Sequence, residues 1–381
     1  MNGDATLMLD LVARTFRLQP DAISREAMDH NWAPVERWHL HWPDPAVPQT
    51  VVVKTRRHNG SGWGYDPCNL IAERRALELL GPTGLAPRVY AASDEIGVIV
   101  MEDIAGARTV EQVLFGADPA AARDALARLA TAFGAMHAAT AGLRVDAEPW
   151  NPTAPLMQEV RAAWDTVIRA AHALSLPAPT QATAGEIAHL DAALTDPAWR
   201  ALTHGDAFPS NTLLVDDRTV LIDFEGANPR HIAIDGAGFA LAFPAYRYWA
   251  DLSEDVIAAM TGAWRAAIEP AFPSVANDAV FWPMLATGAL AWAIARLSRL
   301  PRIADDSAPM DESRRRRSQI VHMTALAVAT CRTGDAYPSI SAWLGALEAA
   351  MRERWPEASE PRQFPCFNGG SREGWTVVHD I

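Results

Sequence analysis

The apolar positions change period several times along the first hundred residues. Leu7, Leu9 and Leu11 open a stretch that reads as a helix over residues 5–29, and a Trp-, His- and Pro-rich segment follows through Pro48. Val51-Val52-Val53-Lys54 then reads as a strand, three β-branched residues ending in a lysine. Asp66 can cap the next element, Pro67 suits its first turn and Gly81-Pro82 stops it, which bounds a helix of about four turns. Within it Leu70, Glu73, Leu77 and Leu80 recur at spacings of three, four and three and share one face, so Glu73 stands on the apolar stripe. A carboxylate turned toward a core is costly unless paired, and Lys54 is the natural partner, although a lysine taken alone more often faces solvent. Leu85 to Tyr90 and Gly97 to Met101 read as two further strands, with a turn from Ser93 to Gly97.

From Asp118 the pattern turns helical. Leu126, Leu129, Phe133 and Met136 recur at three, four and three and predict an amphipathic helix, and another is expected over Leu156 to Leu174. His137 and His172 lie on these stretches and read as structural. The uncharged run Ala279 to Ala295, broken by Pro283 and Gly288, is short for a membrane span and reads as a buried helix. Phe239 to Trp249 is dense in aromatics, which pack a core more often than they box an ammonium ion. Arg314 to Arg317 reads as a solvated helical face, and the residues beyond Trp355 as a loosely packed tail.

The chemistry concentrates between Leu202 and Glu225. His204-Gly205-Asp206 leads to Asn211 with four residues between the Asp and the Asn. Two β-branched runs, Thr212 to Val215 and Thr219 to Ile222, flank the turn formers Asp216-Asp217-Arg218, so a hairpin ends in Asp223-Phe224-Glu225. Such a set suits phosphoryl transfer from ATP. Asp206 is placed to accept or orient the proton of an attacking hydroxyl, while the Asn211 amide oxygen and the Asp223 carboxylate are hard ligands for magnesium.

This stretch resembles the Brenner-type motif of the aminoglycoside phosphotransferase and choline kinase-like family, with Ile222-Asp223-Phe224-Glu225 as the second motif. The resemblance covers about residues 50 to 240. It implies an α+β, bilobal protein kinase-like fold, with a small mixed N-terminal lobe over residues 1–104 and a larger, mainly helical lobe over 105–381. It further implies that Lys54 pairs the α/β-phosphates and is held by Glu73, and that the backbone of Glu102 to Ile104 forms a hinge against the adenine edge. His204 would hold the catalytic loop, and Asp235 would brace it. The implied activity is an ATP- and magnesium-dependent kinase transferring the γ-phosphate to the hydroxyl of a small molecule: an aminoglycoside, an amino alcohol or another metabolite. One feature departs from the pattern: no glycine occurs between Gly3 and Gly60, so the usual glycine-rich phosphate clamp is absent before the lysine strand. Asp29-His30-Asn31-Trp32 could replace it, and Gly60-Ser61-Gly62-Trp63-Gly64 is either a phosphate loop or, more simply, a surface loop. The alternative is a nucleotide- or ligand-binding pseudokinase with a regulatory duty, against which the retained Asp206, Asn211 and Asp223 argue.

Composition narrows this further. The length of 381 residues and 49% hydrophobic content suffice for two sizeable cores. A net charge of −13 argues against a general nucleic-acid binder and favours a cationic small-molecule substrate, although many cytosolic proteins are acidic without one. Cys68, Cys331 and Cys366 are far apart and carry no metal-ligand spacing, and the N-terminus lacks a basic, then apolar, leader. A cytoplasmic protein with no membrane partner is therefore expected.

Overall fold

The computed structural model describes residues 3–20, 22–28, 34–42, 44–56, 65–143, 150, 160–305, 310–359, 361–370 and 375. The chain divides into two compact units. Met1–Arg108, Val145–Ala154 and Thr212–Asn228 form one, and Thr109–Arg144, Pro155–Asn211 and Pro229–Ile381 form the other.

The first unit is built on five antiparallel strands, β1 (Ala22–Met28), β2 (Val35–His41), β3 (Thr50–Thr55), β4 (Val89–Ser93) and β5 (Val98–Glu102), in the order β1-β2-β3-β5-β4. Alternation along a strand sends successive side chains to opposite faces. Val51 and Val53 therefore join Trp38, Leu40, Val98 and Val100 in a core that also takes Val12 from helix α1 (Gly3–Phe16). Lys54, one residue out of phase with Val53, points to the other face.

Helix α1 is shorter than the expected helix over 5–29. Arg17 takes a left-handed φ of 55°, Pro20 has no N–H to continue a helix, and the chain returns as β1 paired with β2 from Ala22↔His41 to Met28↔Val35. Strand β2 lies inside the Trp- and His-rich segment, where buried Trp38 and Leu40 show the period of two. The strand expected from Leu85 begins only at Val89, since Pro87 has no N–H for a ladder. Helix α2 (Pro67–Leu80) matches its predicted limits: the Asp66 side chain accepts from the Cys68 N–H at 2.8 Å, and Gly81 follows the last turn. The hairpin Thr212–Val215 and Arg218–Leu221 belongs to this unit, and the Leu221 N–H donates to the Leu85 carbonyl at 2.8 Å.

The second unit is helical: α3 (Val110–Leu114), α4 (Pro119–Ala139), α5 (Val160–Ala173), α6 (Gln181–Leu194), α7 (Ala233–Ala240), α8 (Glu254–Ile268), α9 (Asp278–Leu297), α10 (Leu300–Ile303), α11 (Met310–Thr333) and α12 (Pro338–Arg354). Leu126, Leu129, Phe133 and Met136 of α4 are all fully buried. Among the described residues α9 alone is long and apolar enough to cross a membrane, and 78% of its apolar window is buried inside the protein, as a core helix requires. Two glycines let α7 sink into this core. A Cβ on Gly236 would collide with the Trp264 ring of α8, and one on Gly288 of α9 would collide with the Ala233 backbone.

The aromatic stretch packs into the core as expected: it leaves α7 at Ala240, Ala242 and Phe243 take left-handed backbone, and Phe243, Tyr246 and Trp249 are buried. Two expectations change here. Of the arginine run, Arg316 and Arg317 are buried rather than solvated. Arg317 donates to Glu357 at 3.0 Å and lies over the Trp355 ring, because α11 turns that side toward the segment after α12. The described part of the tail packs tightly: Phe364 is fully buried and stacks on Trp375 at 5.8 Å.

Candidate active site

Lys54 is the only lysine among the chain's 33 basic residues, and it is 3% exposed. Its ammonium meets Glu73 at 2.6 Å, Asp223 at 2.7 Å and Glu225 at 2.9 Å. Each partner arrives for a local reason. Strand alternation turns Lys54 away from the valine core. The period of α2 puts Glu73 on its buried face with Leu70 and Leu77, and the hairpin's exit brings Asp223 and Glu225. Asp223 adopts φ 67°, ψ 58°, a left-handed conformation that costs a non-glycine residue on the order of 1 kcal/mol and that surrounding structure must impose. Phe224, fully buried between the two carboxylates in sequence, anchors that turn.

One ammonium cannot neutralise three carboxylates. Burial by itself would lower the Lys54 pKa, and the charges of Asp223, Glu73 and Glu225 overturn that and raise it well above the ordinary lysine value. Glu73 is pushed up to about 7, first by burial and then by the nearby Asp223 and Glu225, against the pull of Lys54. Oxygen atoms of Glu73, Asp223 and Glu225 lie within 4.8 Å of one another around this ammonium. The donor set is all carboxylate, so it fits a hard divalent cation such as magnesium.

The loop residues lie in the second unit. The Asn211 amide nitrogen donates to the Asp206 carboxylate at 2.9 Å and to the Asp206 carbonyl at 3.1 Å, while its amide oxygen accepts from the Ser210 hydroxyl at 3.2 Å. Asp235, on the first turn of α7, braces the loop through backbone: its carboxylate accepts from the His204 N–H at 2.7 Å and the Gly205 N–H at 3.0 Å. The same carboxylate meets His137 Nε2 at 3.1 Å, and the Trp264 indole N–H donates to His137 Nδ1 at 3.0 Å. Since Nδ1 accepts, Nε2 carries the proton and donates to Asp235. Burial would raise the Asp235 carboxyl, but the His137 hydrogen bond and the His204 amide hold it below the ordinary carboxylate value. The His204 ring packs 5.3 Å from Phe133, so this histidine is part of the frame.

Glu102 ends β5. Its N–H donates to the Arg88 carbonyl at 2.8 Å, and its carboxylate accepts from the Arg88 N–H at 3.2 Å. Between it and buried Ile104, Asp103 makes a two-pronged ion pair with Arg37 of β2 at 2.8 and 3.1 Å. Sequence reasoning named Lys54, Glu73 and Asp223 but gave Glu225 no role, although its place after Asp-Phe was a usable signal. It also missed Arg37–Asp103, which no local pattern marks. Asp29 to Trp32 and Gly60 to Gly64, considered for the phosphate clamp, lie outside the described residues.

A family model described as the phosphotransferase enzyme family matches residues 35–274. The choline kinase of Cryptosporidium parvum Iowa II is similar in fold, with a TM-score of 0.54 at 12% identity over 90% of this chain and 99% of that one. A choline/ethanolamine kinase family protein from Mesorhizobium loti aligns with a TM-score of 0.49 at 17% identity, covering 91% and 99% of the two chains. A macrolide 2'-phosphotransferase from Brachybacterium faecium aligns at 0.42 and 18% identity, covering 90% and 97%. A comparison with curated proteins returns no match.

Proposed function

The chain belongs to the phosphotransferase enzyme family, and from that premise we propose that it transfers the γ-phosphate of ATP to a hydroxyl of a small molecule with the help of magnesium. The observation that carries this reading is the placement of the chain's single lysine: a buried ammonium held on Glu73, Asp223 and Glu225. A lysine kept only for charge would sit on the surface; one buried against three carboxylates is poised to share its donors with phosphate oxygens.

In this reading Lys54, positioned by Glu73, binds the α/β-phosphates, and the backbone of Glu102 to Ile104 takes the adenine edge. Asp206 accepts the proton of the attacking hydroxyl. The Asn211 amide nitrogen fixes the orientation of that carboxylate, and the Asp235 clamp on the His204 and Gly205 amides fixes the loop that carries it. Asn211 and Asp223 would hold magnesium through oxygen. When bound, that ion supplies charge neutralisation of the triphosphate. Net charge −13 supports a cationic acceptor within the hydroxyl class.

The test is a panel of aminoglycosides, amino alcohols and sugars assayed for ADP release with magnesium. An acceptor-dependent signal that falls by about 100-fold or more in Asp206→Asn is expected for loss of a general base. An Asp206→Asn protein that turns over a true acceptor at the wild-type rate would reject the assigned base. Nucleotide binding by thermal shift that ignores magnesium would favour a regulatory, non-catalytic protein instead.

A further inference from the structure

The second unit contains an open-mouthed cavity of about 540 Å³ that none of Asp206, Asn211 or Asp235 lines. Such a volume suits a drug-sized molecule. Its walls come from the end of α6, the turn before the strand Arg200–Thr203, the first half of α9 and the turn before α12.

Three features give this cavity a chemical preference. First, its rings are held in place: Trp199 stacks on Phe272 at 5.9 Å and lies 6.2 Å from His231, while Tyr337 lies 5.6 Å from His189 with its hydroxyl 2.9 Å from that of Thr287. Second, its charge is negative. Asp196 and Asp335 are exposed on the rim, neither forms an ion pair among the described residues, and no lysine or arginine lines the wall. Third, His231 adds no positive charge: its Nδ1 accepts the Ala233 N–H at 3.2 Å, and burial lowers its pKa to about 4 although Asp196 pulls the other way.

Fixed aromatic faces and two carboxylates that form no ion pair among the described residues together favour an organic cation. We propose that this cavity is a second ligand site, lined by none of the phosphotransfer residues, for an ammonium or amidinium group borne on an aromatic or aliphatic body. The charged end sits at Asp196 and Asp335, and the body lies between Trp199, Tyr337 and the Met284 floor. The site is not isolated from the catalytic loop. The Ile232 N–H donates to the Trp199 carbonyl at 3.0 Å, which ties the wall to the turn that begins α7 and carries Asp235.

The experiment is calorimetric titration of the full-length protein with benzamidinium, alongside neutral benzyl alcohol. The decisive variant is Asp196→Asn/Asp335→Asn. Asparagine at 196 can still accept the Ala198 N–H, and asparagine at 335 tolerates the left-handed φ of 47°, so charge is removed with the backbone kept. One benzamidinium per chain is expected, with weaker or no binding of the alcohol and a loss of at least about tenfold in affinity in the double variant. Ala193→Trp, which fills the cavity, should abolish binding while a thermal melt verifies folding. Asp206→Asn should bind as wild type does. Absence of saturable binding to millimolar concentrations, equal affinity in the double variant, or loss of binding in Asp206→Asn would each overturn the proposal.

Discussion

Two carboxylate clusters in this protein, one in each unit, obey opposite rules. Around Lys54 three acids converge on a single ammonium, so several carboxylates share one buried cation. Around Asp235 a single acid receives three donors, from His204, Gly205 and His137, and the chain of bonds closes on Trp264. The first cluster gathers carboxylate oxygens around one point and is suited to take up a cation. The second is satisfied and is suited to hold a loop still. A buried ionisable group thus means different things according to whether its partners balance it.

The contrast is broken most severely at Lys54. Replacing it with Met takes from three neighbouring carboxylates the buried ammonium they share, and a loss of about 3–5 kcal/mol in urea unfolding is expected, as for breaking a buried ion pair. Lys54→Arg should recover only part of this, since a larger guanidinium, its five donors fixed in one plane, does not fit a buried pocket closed around a compact ammonium. A Met variant as stable as wild type would mean that the acids simply protonate and that the cluster is not under charge stress.

Asp235→Asn tests the satisfied cluster. One oxygen becomes an NH2 facing existing donors, which orphans at least one buried N–H, and about 2–4 kcal/mol should be lost. Faster amide exchange should be confined first to His204 and Gly205. Exchange unchanged at both amides would show that the brace is dispensable.

Glu73 has a folded pKa of about 7 against an ordinary 4.5, so its contribution to stability is full below the ordinary value and is lost as pH rises through about 7. His231 runs the other way: with a folded pKa of about 4 against 6.5, its contribution is present at neutral pH and lost as pH falls toward 4. Each effect is on the order of 2–3 kcal/mol. Glu73→Gln should remove the decline on the alkaline side, and His231→Gln the decline on the acid side, in urea unfolding curves collected across that range. Parallel pH profiles in wild type and Glu73→Gln would refute the assigned shift.

The two clusters also differ in how far the chain announces them. Lys54, Glu73 and Asp223 were legible because each depends on local order: strand alternation, a helical period with Asp66 and Gly81 as its limits, and a hairpin whose turn residues bring its ends together. Asp206 and Asn211 stand out in the chain by their spacing after His204 and Gly205, and the two side chains are hydrogen-bonded to each other. The β2 strand was hidden because Pro, His and Trp mask a period of two, and β1 was absorbed into a helix whose stop is a left-handed Arg17 rather than a glycine. The roles of His137 and Trp264 could not be read at all, since each is far in sequence from the Asp235 it supports.

By itself, then, the amino-acid order determined which residue types stand on which face of each element, and with that the kind of chemistry available, because period and capping act over a few residues. Only the tertiary structure decided that Glu225 joins Lys54, that Arg37 locks Asp103, that half of the arginine run is buried, and that a ring-lined acidic cavity forms where α6 and the turn after it meet His231, α9 and the turn before α12. Those outcomes depend on which faces find each other once cores are packed, a matter of long-range complementarity that no short stretch of sequence carries.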